Sequence, residues 1–295
     1  MEKLKFDDNM NYFVISDLHG QGKIYNHIVD NLDKQAVEKG QPITLIINGD
    51  IIDRGPDSIE MLVDVMERAK GMKGNINVIM LPGNHEEMMY SSLKYFKEHR
   101  DWDRSKTLTH SNVWFNPANH GTETAEHFFE LPPEKQVEVY NFLKDLPLYC
   151  VVETTKPNYN SYVIVHACPP RNAMSCNYIP TLDDIVSKSQ LQVLRECLTY
   201  RKDDNSNVNV SLPDKGVITL IGHTPVNSEN GFCLTENKKL LMIDGGCAFM
   251  AANPDAHIII KEMATLVKLS DKPGETKVGL YGDEKSKYMR QGNRK

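Results

Sequence analysis

The sequence predicts a mixed α/β protein whose second half adds a further sheet and gives it α+β character. Six short apolar runs rich in Val and Ile have the length of buried strands. They are Tyr12–Ile15, Ile43–Ile47, Val78–Leu81, Tyr162–Val165, Val217–Ile221 and Leu240–Ile243. Segments with helical spacing separate the first three runs, so the first half follows a βαβαβ pattern.

Two helices are predicted between the first three strands. Ile24, Ile28 and Leu32 recur at helical spacing after the first run. Ile59 and Leu62 do so after the second run, behind a Gly-Pro-Asp-Ser segment that suits a helix start.

The rest of the chain predicts a helical insertion, a second sheet and a tail. Residues 86–146 are mostly polar with helical spacing, and after Tyr149 the strand patterns come closer together, ending with the alternating run His257–Leu269. Residues 283–295 are polar and should be frayed. Because the polar motifs described below run from residue 17 to beyond residue 240, we expect residues 1–282 to form a single domain.

Charge and composition argue against several classes of protein. A net charge of −6 and a pI near 5.9 do not suit a protein that holds a nucleic-acid backbone. No stretch approaches the roughly 18 apolar residues of a membrane-spanning helix, so we expect a cytoplasmic monomer that does not bind membranes. The six cysteines include no CxxC pair and are interpreted as free thiols.

Each of the six strand runs ends in a compact polar motif. The motifs are Ser16-Asp17-Leu18-His19-Gly20, Asn48-Gly49-Asp50-Ile51-Ile52-Asp53-Arg54-Gly55, Pro82-Gly83-Asn84-His85-Glu86, His166-Ala167, Gly222-His223-Thr224-Pro225 and Asp244-Gly245-Gly246. Ligands of open α/β sheets bind just beyond the carboxyl ends of strands. The six motifs could therefore share one rim.

Residue types in these motifs predict a site for two metal ions. Asp17 and His19 are two apart, so in extended backbone both point to one side and can reach one ion. Asp50 can bridge two cations through its two carboxylate oxygens. The remaining candidate ligands are Asn84, His166 and His223. Oxygen and imidazole ligands without thiolate suit manganese first, with iron or zinc as alternatives, rather than calcium or a structural zinc.

A phosphate substrate follows from the charges. Two divalent ions bring +4, Asp17 and Asp50 bring −2 and a bridging hydroxide brings −1, so the site stays positive and can clamp an in-line displacement at phosphorus. Arg54 offers a bidentate fork to phosphate oxygens. His85 can donate a proton to the leaving group, with Asp53 holding its other ring nitrogen.

Two acidic positions have other interpretations. Glu86 and Glu87 open a predicted helix, where acidic side chains favour the positive end of the helix dipole, and Glu86 can be a simple cap. Asp244 belongs either to a tight Asp-Gly-Gly turn or to the surroundings of the metal ligands.

The chain contains the blocks Asp-Leu-His-Gly, Gly-Asp-Ile-Ile-Asp-Arg-Gly and Gly-Asn-His-Glu, followed by His166, Gly-His-Thr-Pro and Asp-Gly-Gly. In this order the motifs resemble those of the metallophosphoesterase superfamily. Within it they resemble the phosphoprotein phosphatases, closest to the bacterial and phage-type members, over about residues 12–250. The resemblance implies a central β-sandwich of two mixed sheets flanked by helices, and two metal ions. It also implies phosphomonoester hydrolysis by direct attack of a metal-bridging hydroxide, without a covalent intermediate.

The same resemblance implies roles for individual residues. The first metal would be held by Asp17, His19 and Asp50, and the second by Asp50, Asn84, His166 and His223. His85 and Asp53 would form the acid pair, and Arg54 with Asn84 would contact the substrate phosphate. Arg201 is favoured as the second phosphate-binding arginine, with Arg195 and Arg171 as alternatives. Asn119-His120-Gly121-Thr122, in the segment Trp114–Phe128, resembles an Asn-Gly-Gly-Thr element of bacterial relatives, with His120 in place of a glycine.

The function favoured by the sequence is that of a Ser/Thr protein phosphatase acting on a phosphoprotein or a small phosphorylated substrate. The alternative is a bis(5'-nucleosyl)-tetraphosphatase, which resembles these phosphatases in most motifs; the intact Asp53-Arg54-Gly55 favours the phosphomonoesterase. A nuclease-like phosphodiesterase fits less well, because the chain has no basic track. A non-catalytic binding scaffold is least favoured, since it predicts a lost ligand or acid and none is lost.

Overall fold

The computed structural model describes residues 3–6, 10–99, 113–156, 158–170, 172–187, 191–199, 216–226, 231–235, 239–247, 264–270, 272 and 275–281. Its strands are β1 Leu4–Lys5, β2 Asn11–Ile15, β3 Ile43–Asn48, β4 Asn77–Leu81, β5 Tyr149–Glu153, β6 Ser161–Val165, β7 Val217–Ile221, β8 Cys233–Leu234, β9 Leu240–Met242, β10 Ala264–Lys268 and β11 Lys277–Tyr281. Its helices are α1 Gly22–Lys39, α2 Ser58–Ala69, α3 Asn84–His99, α4 Gly121–Glu130, α5 Pro133–Lys144, α6 Leu182–Ser187 and α7 Leu191–Thr199. All six predicted strand runs form strands.

The strands form two mixed sheets. The first has the order β11-β10-β2-β3-β4, and the second has the order β1-β5-β6-β7-β9-β8. Strands β2, β3 and β4 are parallel, as the predicted βαβαβ pattern requires. In the second sheet β6, β7 and β9 are also parallel. The predicted class, two mixed sheets flanked by helices, is confirmed.

The two sheets pack face to face. Tyr12 and Val14 on β2 belong to a buried cluster that includes Ile164 on β6 and Leu220 on β7. The alternate residues of β2 join a second buried cluster with the helices, for example Ile15. The inner strands are therefore buried on both faces, which is why they appear in the sequence as almost continuous apolar runs.

One element lies in a different sheet from the one predicted. The alternating run His257–Leu269 was expected to extend the second sheet, but β10 pairs antiparallel with β2 of the first sheet. Alternation shows that a strand has two faces and does not show which edge it joins. The start of that run, residues 257–263, lies outside the described residues, as does the tail 283–295.

The predicted helical insertion contains α4 and α5 and most of α3, and residues 100–112 lie outside the described part. Within the described residues, every helix is too short or too polar to cross a membrane. The expectations of a single domain and a monomer stay predictions.

Candidate metal centre

Both sheets deliver predicted site residues to one rim. Asp17 follows β2 and Asp50 follows β3 in the first sheet, whereas His166 follows β6 and His223 follows β7 in the second. The amide of Asp17 donates to the Gly49 carbonyl over 3.0 Å, which joins the two loops of the first sheet.

A buried amide side chain joins the two sheets at this rim. Nδ2 of Asn48, at the end of β3, donates to the Val165 carbonyl at the end of β6 over 3.0 Å. The relative position of the two loops that carry candidate ligands is therefore fixed by a direct contact.

Two overlapping groups of side chains can each hold a metal ion, and they share Asp50. One group is His19, Asp50 and His85, and the other is Asp50, His166 and His223; within each group the ligand atoms lie within 4.8 Å of one another. The second group contains three of the four ligands predicted for the second ion. The first group contains His19 and Asp50, which are two of the three ligands predicted for the first ion, together with His85.

The imidazole orientations fit metal binding. Nδ1 of His19 lies 3.0 Å from the Ile52 carbonyl, and Nδ1 of His166 lies 2.9 Å from the Asn48 carbonyl. A carbonyl only accepts, so each Nδ1 donates its proton to the backbone, and Nε2 is the ring nitrogen left to bind a metal ion. These Nε2 atoms lie 3.6 Å and 3.4 Å from Oδ2 of Asp50. The donor set therefore fits divalent ions on both sides of Asp50.

Asp17 joins the loop that follows β2 to the loop that follows β7. Its two carboxylate oxygens accept the His223 amide at 3.0 Å and 3.1 Å, and the Ser16 hydroxyl also donates to it. A Cβ on Gly222 would lie 2.1 Å from Oδ2 of Asp17, so only glycine permits this approach. Asn84 places Oδ1 3.4 Å from Nε2 of His166, at the edge of the second group. The roles of Asp17 and Asn84 as ligands stay predictions.

Buried carboxylates crowd this rim. Asp17, Asp50 and Asp244 are all buried. Burial and the charge of Asp244 raise the pKa of Asp17 well above its ordinary value, and burial with the charge of Asp50 raises the pKa of Asp244 to about 6. Burial alone would raise the pKa of Asp50, but His166, His85 and His19 bring it well below its ordinary value. Repulsion of this kind is relieved by bound cations.

His85 and Asp53 form a buried pair. Nδ1 of His85 lies 2.6 Å from Oδ2 of Asp53, and Nε2 of His85 lies 4.0 Å from Oδ2 of Asp50. Burial alone would lower the pKa of His85, but the charges of Asp50 and Asp53 raise it. The ring therefore presents Nε2 to the site while Asp53 fixes its orientation.

The predicted phosphate-binding arginines differ in their surroundings. Arg54 is partly exposed, and its Nη1 lies 2.5 Å from Nε2 of His19, beside the first group. Arg201 and Arg171 lie outside the described residues. Arg195 contacts Oε1 of Glu87 over 3.2 Å, so one end of its guanidinium is already paired with a carboxylate.

Backbone strain is concentrated at this rim. Eight non-glycine residues have positive φ among those described, and six of them are Asp17, His19, Asp50, Asp53, Arg54 and His223. Such conformations cost energy for L-residues and persist where the surroundings enforce them, which is typical of functional sites.

Sequence reasoning missed the role of Glu86. Its fully buried carboxylate accepts the amides of Asp50 and Gly83 at 2.8 Å and 2.7 Å through Oε2, and that of Ile51 at 3.0 Å through Oε1. It therefore holds the loop that carries Asp50 instead of only capping a helix. The sequence signal for this role was the position of the glutamate directly after Asn84-His85, which contains a predicted ligand. Trp114 was also missed, and its Nε1 contacts Asp53.

Comparisons with known proteins found a matching family profile and a curated relative. The sequence profile of the calcineurin-like phosphoesterase family matches residues 10–260. A curated relative, the bis(5'-nucleosyl)-tetraphosphatase PrpE (asymmetrical) of Bacillus velezensis, is 29% identical over 172 residues, which cover 54% of this chain and 56% of the relative. The chain thus matches little more than half the length of that relative.

Solved structures of two phosphatases share the fold. A protein serine/threonine phosphatase from Saccharomyces cerevisiae, with similarity to human phosphatase PP5, superposes with a TM-score of 0.56 at 13% identity, covering 98% of this chain and 86% of that one. The cold-active protein-tyrosine phosphatase of a psychrophilic Shewanella species superposes with a TM-score of 0.53 at 15% identity, covering 95% and 80%.

Proposed function

Because the chain belongs to the calcineurin-like phosphoesterase family, whose profile spans residues 10–260, we propose that it hydrolyses phosphate monoesters as a Ser/Thr protein phosphatase. The metal site is proposed as the sequence analysis has it, with Asp17, His19 and Asp50 on one ion and Asp50, Asn84, His166 and His223 on the other. Two divalent ions, manganese first with iron or zinc as alternatives, would supply an activated water and neutralise charge that develops on the phosphoryl oxygens.

The observation that carries the proposal is the buried His85–Asp53 pair beside Asp50. Asp53 accepts from Nδ1 over 2.6 Å, so the proton that His85 can give away is on Nε2, which faces the site. A serine or threonine side chain leaves as a strongly basic alkoxide and needs such a proton in the transition state. A phosphate or nucleotide leaves as a stable anion and needs it much less.

Arg54 would bind the phosphate group of the substrate. Its guanidinium is partly exposed beside His19, and its fork can take two non-reacting phosphate oxygens. Asn84, at the start of α3, can donate its side-chain amide to the same phosphate. Together they would orient the ester so that its leaving oxygen faces His85.

The second candidate function is hydrolysis of a dinucleoside tetraphosphate. It is supported by the 29% identity to a bis(5'-nucleosyl)-tetraphosphatase. Both activities would use the same metal ligands, so they differ in the substrate groups bound outside the metal site and in the demand on His85.

The deciding experiment compares Mn²⁺-supported turnover of phosphoserine and phosphothreonine peptides, phosphotyrosine peptides and diadenosine tetraphosphate. We expect the highest kcat/KM with phosphoserine or phosphothreonine peptides and release of inorganic phosphate. A strong preference for the tetraphosphate, with nucleotide products, would replace the first candidate by the second. The matched controls are Asp50→Asn, which should abolish both activities, and the exposed His27→Asn, which should change neither.

A further inference from the structure

The indole of Trp114 reaches the proton-donor pair from the helical insertion. Its Nε1 lies 3.1 Å from Oδ2 and 3.2 Å from Oδ1 of Asp53, which in turn accepts from His85. All three side chains are buried, with exposures of 0% for Trp114, 0% for Asp53 and 1% for His85. We propose that Trp114 is a positioning residue that orients His85 through Asp53, an inference that rests on the proposed function.

The carboxylate of Asp53 depends on this donor. In the part of the chain that the structure describes, its oxygens are contacted by two donors, Nδ1 of His85 and Nε1 of Trp114. A buried carboxylate needs donors to offset the loss of water. An indole can only donate and its ring is rigid, so its contact with both oxygens holds the carboxylate in position. The position of the carboxylate determines where Oδ2 holds the imidazole.

The turn between residues 113 and 121 holds the indole in place. The side-chain amide of Asn119 donates to the Val113 carbonyl over 2.7 Å and closes the turn. A Cβ on Gly121 would lie 2.3 Å from Cδ1 and 2.4 Å from Nε1 of Trp114, so this position must be glycine. The ring of Phe115 packs beside the indole, with a centroid distance of 5.2 Å.

These contacts give the Asn119-His120-Gly121-Thr122 element a function. Asn119 closes the turn, Gly121 leaves room for the indole, and His120 turns the chain into α4 with a left-handed φ of 57°. Only the requirement at Gly121 concerns the space around Trp114. The histidine at position 120 therefore leaves the contact between Trp114 and Asp53 intact.

The kinetic test uses Trp114→Phe and two monoesters that differ in their need for a proton. A phosphoserine peptide has a basic leaving group, whereas p-nitrophenyl phosphate releases a stable anion. Loss of one donor to a charged group should lower kcat for the peptide by roughly tenfold. For p-nitrophenyl phosphate kcat should change by less than about twofold, because acid catalysis contributes little there. KM should stay near the wild-type value with both substrates.

A matched control separates positioning from packing. Phe115→Leu disturbs the same turn and leaves the indole N–H in place, so it should not change the ratio of the two activities. An equal loss of activity with both monoesters in Trp114→Phe would indicate a purely structural role and overturn the proposal. Unchanged activity with both monoesters would overturn it as well. If the wild-type protein hydrolyses neither monoester, the proposed function fails, and the spectroscopic test below still decides whether Trp114 and Asp53 are linked.

The spectroscopic test needs no substrate and no metal. The chain has two tryptophans, so its NMR spectrum contains two indole N–H resonances, and Trp114→Phe identifies one of them. In Asp53→Asn the bond from Trp114 loses its charged acceptor, so that resonance should move upfield and exchange faster with solvent. The other indole resonance is the internal control. A Trp114 resonance that does not respond to Asp53→Asn would overturn the proposal.

Discussion

Replacing Glu86 by glutamine should release the loop that carries Asp50. The Glu86 carboxylate is fully buried, and its Oε2 accepts the amides of Asp50 and Gly83 at 2.8 Å and 2.7 Å. Its Oε1 accepts the amides of Ile51 and Ile52 at 3.0 Å and 3.4 Å. Glutamine has the same shape but keeps only one acceptor oxygen. Its NH2 group must therefore face two backbone N–H donors.

The expected magnitude follows from those two donors. A buried donor left without an acceptor costs about 1–3 kcal/mol, so Glu86→Gln should lower the free energy of unfolding by about 2–6 kcal/mol. This is a large share of the 5–15 kcal/mol that typically stabilises a folded protein. Since at least one of the two released amides belongs to the Asp50 loop, the half-saturating Mn²⁺ concentration should also rise.

The assay is urea denaturation followed by circular dichroism, in EDTA and in Mn²⁺. It should be run near pH 8.5, because burial and the charge of Asp50 raise the pKa of Glu86 to about 7. Glu87→Gln is the matched control: its carboxylate pairs at 3.2 Å with Arg195, whose side chain is 46% exposed, and such a pair is worth up to about 1 kcal/mol. Equal stability of the two variants would refute this account of Glu86.

Three further perturbations test other parts of the structure. His85→Asn should lower turnover of a phosphoserine peptide by roughly 10²–10⁴-fold without unfolding the protein, as measured by steady-state kinetics and circular dichroism. Gly83→Ala would place a Cβ 2.0 Å from Oδ1 of Asp50, so Mn²⁺ binding measured by calorimetry should weaken. Arg68→Met removes the partner of the Asp33 and Asp64 carboxylates, each 2.7 Å away. It should lower the free energy of unfolding, measured by urea denaturation at neutral pH, by about 3–5 kcal/mol. Burial alone would raise the pKa of Asp64, but hydrogen bonds from Lys73, Tyr25 and Arg68 lower it below its ordinary value of 3.8. The difference in stability between wild type and Arg68→Met should therefore shrink as the pH falls below that value.

Each of these perturbations has a control. His27→Asn replaces an exposed histidine and should keep full turnover; an unchanged rate in His85→Asn would remove that residue from the mechanism. Gly40→Ala adds a Cβ in open space at a φ of 59°, so it should cost about 1 kcal/mol of stability and leave Mn²⁺ binding unchanged. An advantage over Arg68→Met that is independent of pH would show that Asp64 is not stabilised by charge.

The sequence predicts the parts of this fold that depend on local patterns. Buried parallel strands appear as Val- and Ile-rich runs, and the motif at each strand end marks the rim where the sheets meet. The sheet joined by β10 was predicted wrongly, because strand pairing is a long-range property: β10 lies about 250 residues from its partner β2 in the chain. The two-residue strand β1 lacks a detectable pattern.

The candidate site also combines features that local sequence patterns predict with long-range contacts that they do not predict. Asp50, His166 and His223 come together as their strand-end positions predict. Glu86 was interpreted as a helix-opening residue, because the sequence shows its neighbours along the chain and not the Asp50 loop that its carboxylate meets across the fold. The contact of Trp114 with Asp53 joins residues 61 positions apart, so no local spacing could indicate it.

The most direct test of the central claim is the metal content of the purified protein compared with two variants. After dialysis against Mn²⁺ and removal of excess metal, elemental analysis should find two divalent ions per wild-type chain, because the two proposed sets of metal ligands share Asp50. Asp50→Asn should lose both ions, and His223→Asn should lose one. Absence of bound or activating metal in the wild-type protein, or two ions retained by Asp50→Asn, would contradict the proposed dinuclear centre.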